Sequence, residues 1–486
     1  MVVVSAIGRP YHADMPLTPV RQPLHRSGQV LTPAVLDGMH GAAVAMLGAT
    51  GIRIEHEALR AEIARREGFT ARDGRILVRA DRVEALVAHM RATAPPGPTR
   101  DPDALLTLGT DDRASWIVAG ETLRPMTRAD VIASAKLITA LAPRGVSGRT
   151  AGMPMDVPEA LRPFEQYLIA AEYSPAGGGL QDILNVRTAE VIMELNRAAG
   201  RTGLGLTVWS PSPMQLAGTE LDILWRFREE VQDIYVGTMP SMGMSGPCDP
   251  LAVFTLSVAE CLGGAAILHE IVPRADIRVG PHPEPADLAS GVMVFGTPEW
   301  EVLDLMHRDV HAYYGRREDR KLLHTTASLP GFQAAADHAG SFMLGALHGY
   351  TDFAPGGMLA LDEVWSPAML VLDADLLAHT RRAVRGAWSG AGLDFAALPG
   401  VVAEAVANGG VFADLDSTVE NMRDQYHRPR VMRRLNRAQW ERAGRPDEVR
   451  EAQAEADRLV ASADYEAPAA LLRDLRAIVT RATATL

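Results

Sequence analysis

The sequence predicts an α/β protein: a (β/α)8 barrel of the TIM type, with a small N-terminal α/β domain and a helical C-terminal extension. Two observations lead to this fold class. Between about residues 127 and 353, short apolar segments alternate with helical stretches of ten to twenty residues. Eight such strands with crossover helices match the number in a closed parallel barrel. A doubly wound sheet with fewer strands is the competing architecture.

Before the barrel, residues 1–98 are predicted to form a Pro-rich arm and a small domain of helices and a hairpin. Thr32, followed by proline, has the form of a helix N-cap. Asp73 and Gly74 mark a tight two-residue turn between two strands. The proline cluster at 95–98 indicates the domain boundary.

The barrel is predicted to occupy residues 99–370. Its strands are short and rich in Val, Ile and Leu, and helical periodicity fills most of the gaps between them. The predicted strands lie near residues 146, 168–173, 204–209, 234–236, 277–279, 293–295, 322–324 and 350–353. The chain is organised around residues 233–250, where the strand 234–236 enters a loop of Gly, Ser, Pro and Met. Asp249 and Pro250 then have the form of an N-cap and a first helical residue.

Residues 371–486 are predicted to form the helical C-terminal extension. Their most basic stretch, 428–437, is rich in arginine. Since acidic residues surround it, we interpret it as a solvated helix face or a subunit contact rather than a polyanion site. With the Pro-rich arm, it leads us to expect a homo-oligomer.

Composition excludes several classes of protein. Of 486 residues, 47% are hydrophobic and 22% are charged, as in an ordinary globular protein. The net charge of -12 gives no reason to expect a nucleic-acid partner. Two cysteines are too few for a closed zinc site or a disulfide framework. We expect a cytoplasmic protein, because we find neither a signal peptide nor an apolar stretch near the ~20 residues of a membrane helix.

Aromatic side chains concentrate at the carboxyl ends of the predicted strands, although aromatics are only 5% of the chain. Barrel packing explains any one of these rings. As a set, they predict a cage for a quaternary ammonium group, worth about 0.5–2 kcal/mol for each well-placed ring. The candidate cage residues are Tyr173, Trp209, Phe295, Tyr350 and Phe353.

Familiar catalytic motifs are absent from the sequence, and no metal site is predicted. The GMSG segment at 243–246 is a weak candidate for binding an anion through backbone N–H groups. His307 and His311 have the i, i+4 spacing of metal ligands. With Asp304 and Arg308 beside them, we interpret them as part of a surface helix face.

Several segments together resemble the trimethylamine methyltransferase family. They include MPSMGMSGPCDPLAVFTLSVAECLGGAAILHEIVP from Met239, HTTASLPGFQAAADHA from His324, GYTDFAPGGMLALDEVWSPAMLVLDADL from Gly349, and the C-terminal STVENMRDQYHRPRVMRRLNRAQWERAGRPD. The resemblance implies a TIM barrel whose mouth docks a separate corrinoid protein. It also implies that the partner carries the cobalamin-type corrinoid, with no cofactor bound tightly by this chain. The loop that faces the corrinoid would then contain Met242, Gly243, Ser245 and Gly246.

The chemistry of methyl transfer separates the substrates of this family. A quaternary ammonium group leaves as a neutral tertiary amine, so its demethylation needs positioning but no general acid. The family members that act on trimethylamine are thought to use pyrrolysine, which this sequence does not contain. The resemblance therefore favours a small quaternary amine, such as glycine betaine, in one-carbon metabolism.

A substrate that carries a carboxylate needs a cationic or hydrogen-bonding partner. The candidates are Arg149, His282, His324 and His348. The segment 352–356 departs from the family pattern, and Asp352 is a candidate acid there, as is Glu172 after its predicted strand.

Two other functions stay open. One is a barrel lyase or hydrolase that acts on a small cationic substrate, with Glu172, Asp352 and Glu299 as acid or base. The other is a homologue that binds a ligand and turns nothing over. These two functions predict different results in a turnover assay. A lyase turns over substrate without a corrinoid protein, and a binding homologue turns over nothing.

Overall fold

The structure, a computed structural model, describes residues 29–94, 106–179, 183–316, 320–384, 394–414 and 427–484, with residues 416 and 418. The strands are β1 Ile52–Ile54, β2 Phe69–Arg72, β3 Arg75–Val78, β4 Thr107–Gly109, β5 Trp116–Ala119, β6 Thr122–Pro125, β7 Val146–Ser147, β8 Leu204–Ser210, β9 Gln215–Leu216, β10 Val231–Thr238, β11 Asp276–Pro281, β12 Ala286–Asp287, β13 Val292–Met293, β14 Arg320–Leu322, β15 Asp352–Ala354, β16 Met358–Leu359 and β17 Val364–Trp365.

The α-helices are α1 Pro33–Ala49, α2 Glu57–Ile63, α3 Ala80–Thr93, α4 Arg128–Leu141, α5 Arg162–Tyr173, α6 Val186–Ala198, α7 Glu220–Arg226, α8 Pro250–Ile271, α9 Pro298–Tyr313, α10 Phe332–His348, α11 Pro367–Val384, α12 Leu398–Ala407, α13 Arg437–Arg442, α14 Glu448–Ala461 and α15 Ala469–Thr483. Short 3-10 helices occupy Ala142–Arg144, Glu159–Leu161 and Phe412–Asp414.

The central strands form two parallel sheets. In the first, β10 lies between β8 and β11, and Ile234 pairs with Leu206 on one side and Ile277 on the other. In the second, the order is β14, β15, β4 and β7, again with all neighbours parallel. Helices connect successive parallel strands, as parallel pairing requires. The protein is therefore a mixed α/β fold.

Two predicted strands are wrong. Residues 168–173 belong to the end of helix α5, and the stretch near 293 belongs to an antiparallel hairpin in which β13 pairs with β12. The error in α5 has a physical cause, since residues 166–171 are all buried and a short apolar run gives the same signal in a buried helix as in a strand. The prediction also missed β4, which lies between β15 and β7.

The N-terminal block is joined to the first parallel sheet by packing. The predicted hairpin is present as β2 and β3, and β1 pairs with β3 on one side and with β9 on the other. Thr32 caps α1, and α1 packs against α8. One hydrophobic core contains residues from this block and from β8, β10 and β11. The boundary at residue 98 stays a prediction.

Helix α8 is the longest helix near the site. The Asp249 side chain accepts a hydrogen bond from the N–H of Ala252, with Pro250 at the first helical position as predicted. Contrary to the sequence-based expectation, α8 is long and apolar enough to cross a bilayer, but 89% of its 18-residue apolar window is buried in the fold. Packing against α1 and β11 accounts for its composition.

The C-terminal helices cover the outside of the second sheet and its neighbours. Helix α14 packs on α11 and α4, and α15 packs on α5 and α6. The boundary at residue 370 stays a prediction, and this residue lies inside α11. Asp375 of that helix accepts hydrogen bonds from the N–H groups of Arg430 and Val431 and holds the following segment in place.

Candidate functional site

Strand alternation divides the first parallel sheet into two faces. Leu206 and Val208 of β8 pack toward the helices, whereas Trp209 and Tyr235 project from the opposite face. Gly237 stands beside the Trp209 ring and Gly280 beside the Tyr235 phenol, and a methyl group at either position would overlap with the ring. The two glycines therefore leave the space that the two rings occupy.

Three rings meet at the carboxyl ends of β8 and β11. Trp209 lies 5.9 Å from Tyr235 and 5.7 Å from His282 between ring centroids. The phenol oxygen of Tyr235 is 2.7 Å from Nε2 of His282. We call Trp209, Tyr235 and His282 the ring cluster. Each of the three is partly exposed, so the cluster can be reached by a ligand.

Helix α9 continues this stack of rings into the interior. His307 lies 4.1 Å from His282, and His311 lies 4.1 Å from His307, between ring centroids. Their exposed fractions are 3% and 5%. The interpretation of these two residues as a surface helix face is wrong, because both side chains are buried and the neighbouring Asp304 is buried with them.

All three imidazoles are uncharged at neutral pH. Burial, together with the fields of His311 and His324, lowers the pKa of His282 to about 3. Burial and Arg316 lower the pKa of His311 to about 4, and burial lowers the pKa of His307 well below its usual value. A neutral His282 can accept a hydrogen bond from Tyr235 at Nε2. The site therefore presents uncharged rings to a ligand.

Glu284 follows the ring cluster in the loop after β11. Its backbone is fixed by the preceding loop: Met242 donates to its carbonyl at 2.9 Å, and its own N–H donates to the Pro240 carbonyl at 3.0 Å. The side chain is 2% exposed. Burial and the charge of Asp304 raise the pKa of Glu284 well above its usual value, although a hydrogen bond from Trp300 opposes the shift.

Lys321 of β14 is the cation nearest to these acids. Its side chain is fully buried, with Nζ 2.7 Å from Asp304 and 3.0 Å from Glu301. Nζ also lies 4.2 Å from the centre of the Trp300 ring. Burial alone would lower the pKa of Lys321, but the carboxylates of Asp304 and Glu301 outweigh it and leave the pKa raised. The ammonium group is therefore charged.

A small cavity of about 10 Å³ lies between His282 of the ring cluster and the buried acids. It is lined by Phe254, Pro281, His282, Pro283, Glu284, Trp300, Leu303, Asp304, His307 and Leu322. A larger cavity, about 340 Å³, lies at the amino ends of β8 and β10 near Arg197 and Arg274. We place the site at the small cavity, because rings and titratable groups converge there and parallel α/β folds bind ligands at the carboxyl ends of their strands.

Two further predicted residues lie near the same end of the strands. The rings of Phe295 and His324 meet edge to face at 5.0 Å, and the His324 ring is 6.3 Å from Trp300. Burial and Arg113 lower the pKa of His324 to about 4, so its ring is also uncharged at neutral pH. Arg149 follows β7, and its guanidinium group lies beside Gly179.

The two candidate acids are not at the carboxyl ends. Glu172 is in the last turn of α5 and forms an ion pair with Arg476 at 2.6 Å. Asp352 is the first residue of β15, at the amino end, where it pairs with Arg320 at 2.7 Å and accepts a hydrogen bond from Thr107 at 2.8 Å. Their predicted placement at the carboxyl ends is wrong. The predicted strand that contains Glu172 is a helix, and the strand that contains Asp352 begins two residues later than predicted.

Four more predicted ligands face away from the ring cluster. Tyr173, the last residue of α5, lies under the Lys136 ammonium group, which is 5.4 Å from its ring centre. Tyr350 is buried and donates to the Asp304 carbonyl at 2.9 Å. Phe353 packs on the helix side of β15, 4.9 Å from the ring of Phe342. His348, at the end of α10, lies 6.2 Å from the Tyr350 ring and contributes to this helix-side packing.

The loop after β10 is folded by its own hydrogen bonds. The N–H of Gly243 donates to the Gly246 carbonyl at 3.0 Å, and the N–H of Gly246 donates to the Ser241 carbonyl at 3.0 Å. Ser245 accepts a hydrogen bond from Ser241 at 2.8 Å. The N–H groups of Gly243 and Gly246 are therefore already used, and the anion-binding role of the segment stays a prediction. Met242 packs partly against the first core.

Among the described ranges, we find no group of three or more His, Cys, Asp or Glu side chains arranged to hold a metal ion. The fold and the site thus define an α/β protein with a candidate ligand site at the carboxyl ends of parallel strands, made of uncharged rings beside buried acids. The family model described as trimethylamine methyltransferase (MTTB) matches residues 10–486, and the chain belongs to this family.

Individual relatives are distant. The chain is 24% identical over 246 residues to trimethylamine methyltransferase MttB1 of Methanosarcina acetivorans, which covers 50% of this chain and 49% of that protein. It is 23% identical over 304 residues to a glycine betaine methyltransferase of Desulfitobacterium hafniense, covering 59% and 62%. The matched part thus spans about half the length of the first of these curated relatives. A solved monomethylamine methyltransferase of Methanosarcina barkeri superposes with a TM-score of 0.48 at 10% identity over 88% of each chain.

Proposed function

We propose that this protein is a corrinoid-dependent methyltransferase that moves a methyl group from a quaternary amine, such as glycine betaine, to the Co(I) corrinoid of a partner protein. Membership of the family supports methyl transfer, and the similarity to a glycine betaine methyltransferase supports the type of amine. The observation that carries the proposal is the ring cluster of Trp209, Tyr235 and His282 beside the buried Glu284.

Methyl transfer from a quaternary amine requires the protein to bind and orient the substrate and requires little else of it. A quaternary ammonium group attracts the faces of aromatic rings, and it leaves as a neutral tertiary amine once one methyl has been transferred. The imidazole of His282 is uncharged, so it does not repel the cation. The rings hold the ammonium group and exclude water, and the corrinoid, when the partner brings it, supplies the nucleophile.

A partner must reach the same end of the strands. Exposed apolar side chains follow the carboxyl ends of β10, β11 and β14, as a docking surface requires: Met244 is 54% exposed, Leu288 48% and Phe332 91%. We propose that the corrinoid protein docks here and that the two parallel sheets are parts of one (β/α)8 barrel. A cytoplasmic location and a homo-oligomer belong to the same proposal.

The test is a methyl-transfer assay with purified components. The protein is mixed with a cognate corrinoid protein held as Co(I), and the absorbance change on methylation of the corrinoid is followed with glycine betaine, tetramethylammonium, choline or trimethylamine. We expect methylation with at least one quaternary amine and none with trimethylamine. Methylation with trimethylamine alone would contradict the proposed substrate class.

A ring substitution connects this activity to the site. Trp209→Leu removes one ring, so we expect two- to thirtyfold weaker amine binding, corresponding to about 0.5–2 kcal/mol. Trp440→Leu is the matched control, because Trp440 is 39% exposed and lies in the C-terminal helices. Equal effects of the two substitutions would remove the ring cluster from the proposal.

A further inference from the structure

The cavity behind His282 contains an acid with one unpaired carboxyl oxygen. Atom Oε2 of Glu284 is buried and has no hydrogen-bond partner among the described residues. The cavity that this side chain lines also contacts His282, Asp304 and His307. An unpaired polar atom at this depth is costly, so we expect an ordered water, a ligand or an ion to contact it.

Acids outnumber cations around this cavity. Glu284, Glu301 and Asp304 are buried or nearly so, and Lys321 is the cation that faces them. Lys321 already contacts Asp304 at 2.7 Å and Glu301 at 3.0 Å. Its charge lowers the pKa of Glu284 but does not outweigh burial and Asp304, and the neighbouring imidazoles of His282 and His307 are uncharged.

We propose that Glu284 is the residue that recognises the positive charge of the substrate, being protonated in the empty site and a carboxylate when a quaternary ammonium group occupies the ring cluster. The inference rests on the proposed function and adds a specificity-determining residue to it. The exchange is balanced: the ligand brings one permanent positive charge, the O–H bond of Glu284 breaks, and one proton leaves to solvent.

The physical reason is the coupling between neighbouring charges. A cation within a few ångströms favours the ionised form of a carboxyl group, most strongly where water is excluded. Burial and Asp304 favour the protonated form of Glu284 while the site is empty, so its pKa starts above the usual range. The groups that face it are Asp304 and Lys321, which pair with each other, and the uncharged His282 and His307.

This coupling makes binding depend on pH with a defined sign. Below the pKa of Glu284 in the empty site, ligand binding releases a proton, and affinity rises up to tenfold for each pH unit. Above that pKa, the carboxylate is already present and affinity levels off. A site without such an acid has a flat profile over the same range.

Isothermal titration calorimetry measures both effects without a corrinoid partner. Tetramethylammonium chloride and glycine betaine are titrated into the full chain between about pH 5 and pH 9, in two buffers of different ionisation enthalpy. For wild type, we expect up to one proton released per ligand and the rising affinity described above. For Glu284→Gln, we expect no proton release, a flat profile and at least tenfold weaker binding at the plateau. Glu299→Gln changes an exposed acid in the same turn as Trp300 and should behave as wild type.

A second variant keeps the inference testable if Glu284→Gln does not fold. Trp300→Phe removes the hydrogen bond that favours the charged form of Glu284, so the point at which affinity levels off should move to higher pH. Unchanged proton release in Glu284→Gln, or an unmoved profile in Trp300→Phe, overturns the role of Glu284 and leaves the methyltransferase proposal intact. Failure of wild type to bind either ammonium compound overturns both.

Discussion

Removal of the Lys321 ammonium group tests whether the buried charge cluster holds β14 against α9. Lys321→Met keeps most of the unbranched side chain, so the loss of charge is the main change. The ammonium group is fully buried and contacts two carboxylates at 2.7 and 3.0 Å. Breaking a buried ion pair by removing one partner costs about 3–5 kcal/mol, because a charge is left without compensation. We therefore expect Lys321→Met to lower the free energy of local opening at β14 and α9 by this amount.

Hydrogen exchange at the amides of β14 and α9 measures that opening free energy locally, which suits a chain of 486 residues that need not unfold in one step. The double variant Lys321→Met/Asp304→Asn should recover part of the loss, since it removes one uncompensated acid. Lys136→Met is the matched control: it changes the other lysine, which lies partly exposed over the Tyr173 ring. A cost for Lys321→Met no larger than for Lys136→Met, or no recovery in the double variant, would refute the reasoning.

Three other substitutions follow from the described contacts. Gly280→Ala should displace the phenol of Tyr235 and lower the free energy of unfolding by about 1–3 kcal/mol. Calorimetry should then show weaker binding of tetramethylammonium. Replacing a helix glycine that has open space around it by alanine should change neither quantity in this way. His338 and Asp373 form a buried pair 2.7 Å apart, which leaves the pKa of His338 raised despite burial. The pair therefore stabilises the fold fully below about pH 6.5, and this stabilisation is lost as pH rises through the raised pKa. Urea unfolding at a series of pH values should show the loss in wild type and not in His338→Gln. Asp375→Ala should speed protease cleavage near residue 430, as followed by mass spectrometry.

The fold could be predicted wherever local pattern and tertiary position agree. Strands 204–209, 234–236 and 277–279 all lie within β8, β10 and β11, because each combines β-branched residues with a buried position between turns. The pattern failed at 168–173, where a helix is buried on several sides and loses its polar face. It also missed β4, whose three residues are too few to show a period.

Of the residues in the candidate site, the sequence indicates only those that stand at the carboxyl ends of predicted strands. Trp209 and His282 were found because each stands at the carboxyl end of a correctly predicted strand. Glu284 and Lys321 were missed, and His307 was misinterpreted as a surface residue, because their environment is made by residues far away in sequence. One signal was available: a lysine in an apolar strand is unusual in a chain with only two lysines, and it implies buried acids nearby.

Charged side chains are paired differently at the amino ends and at the carboxyl ends of the parallel strands. At the amino ends, inward-facing acids have arginine partners: Asp352 pairs with Arg320 at 2.7 Å, and Asp233 pairs with Arg278 at 2.9 Å. The larger cavity there also contains a paired arginine, which is 2.8 Å from its glutamate. At the carboxyl ends, Lys321 pairs with Asp304 and Glu301, and no ion pair is found for Glu284 within the described ranges. A cation that approaches the amino ends therefore meets neutralised pairs, whereas one that approaches the ring cluster meets an acid still able to ionise. Since attraction at close range grows as water is excluded, this imbalance favours the carboxyl ends for the cationic ligand that we propose.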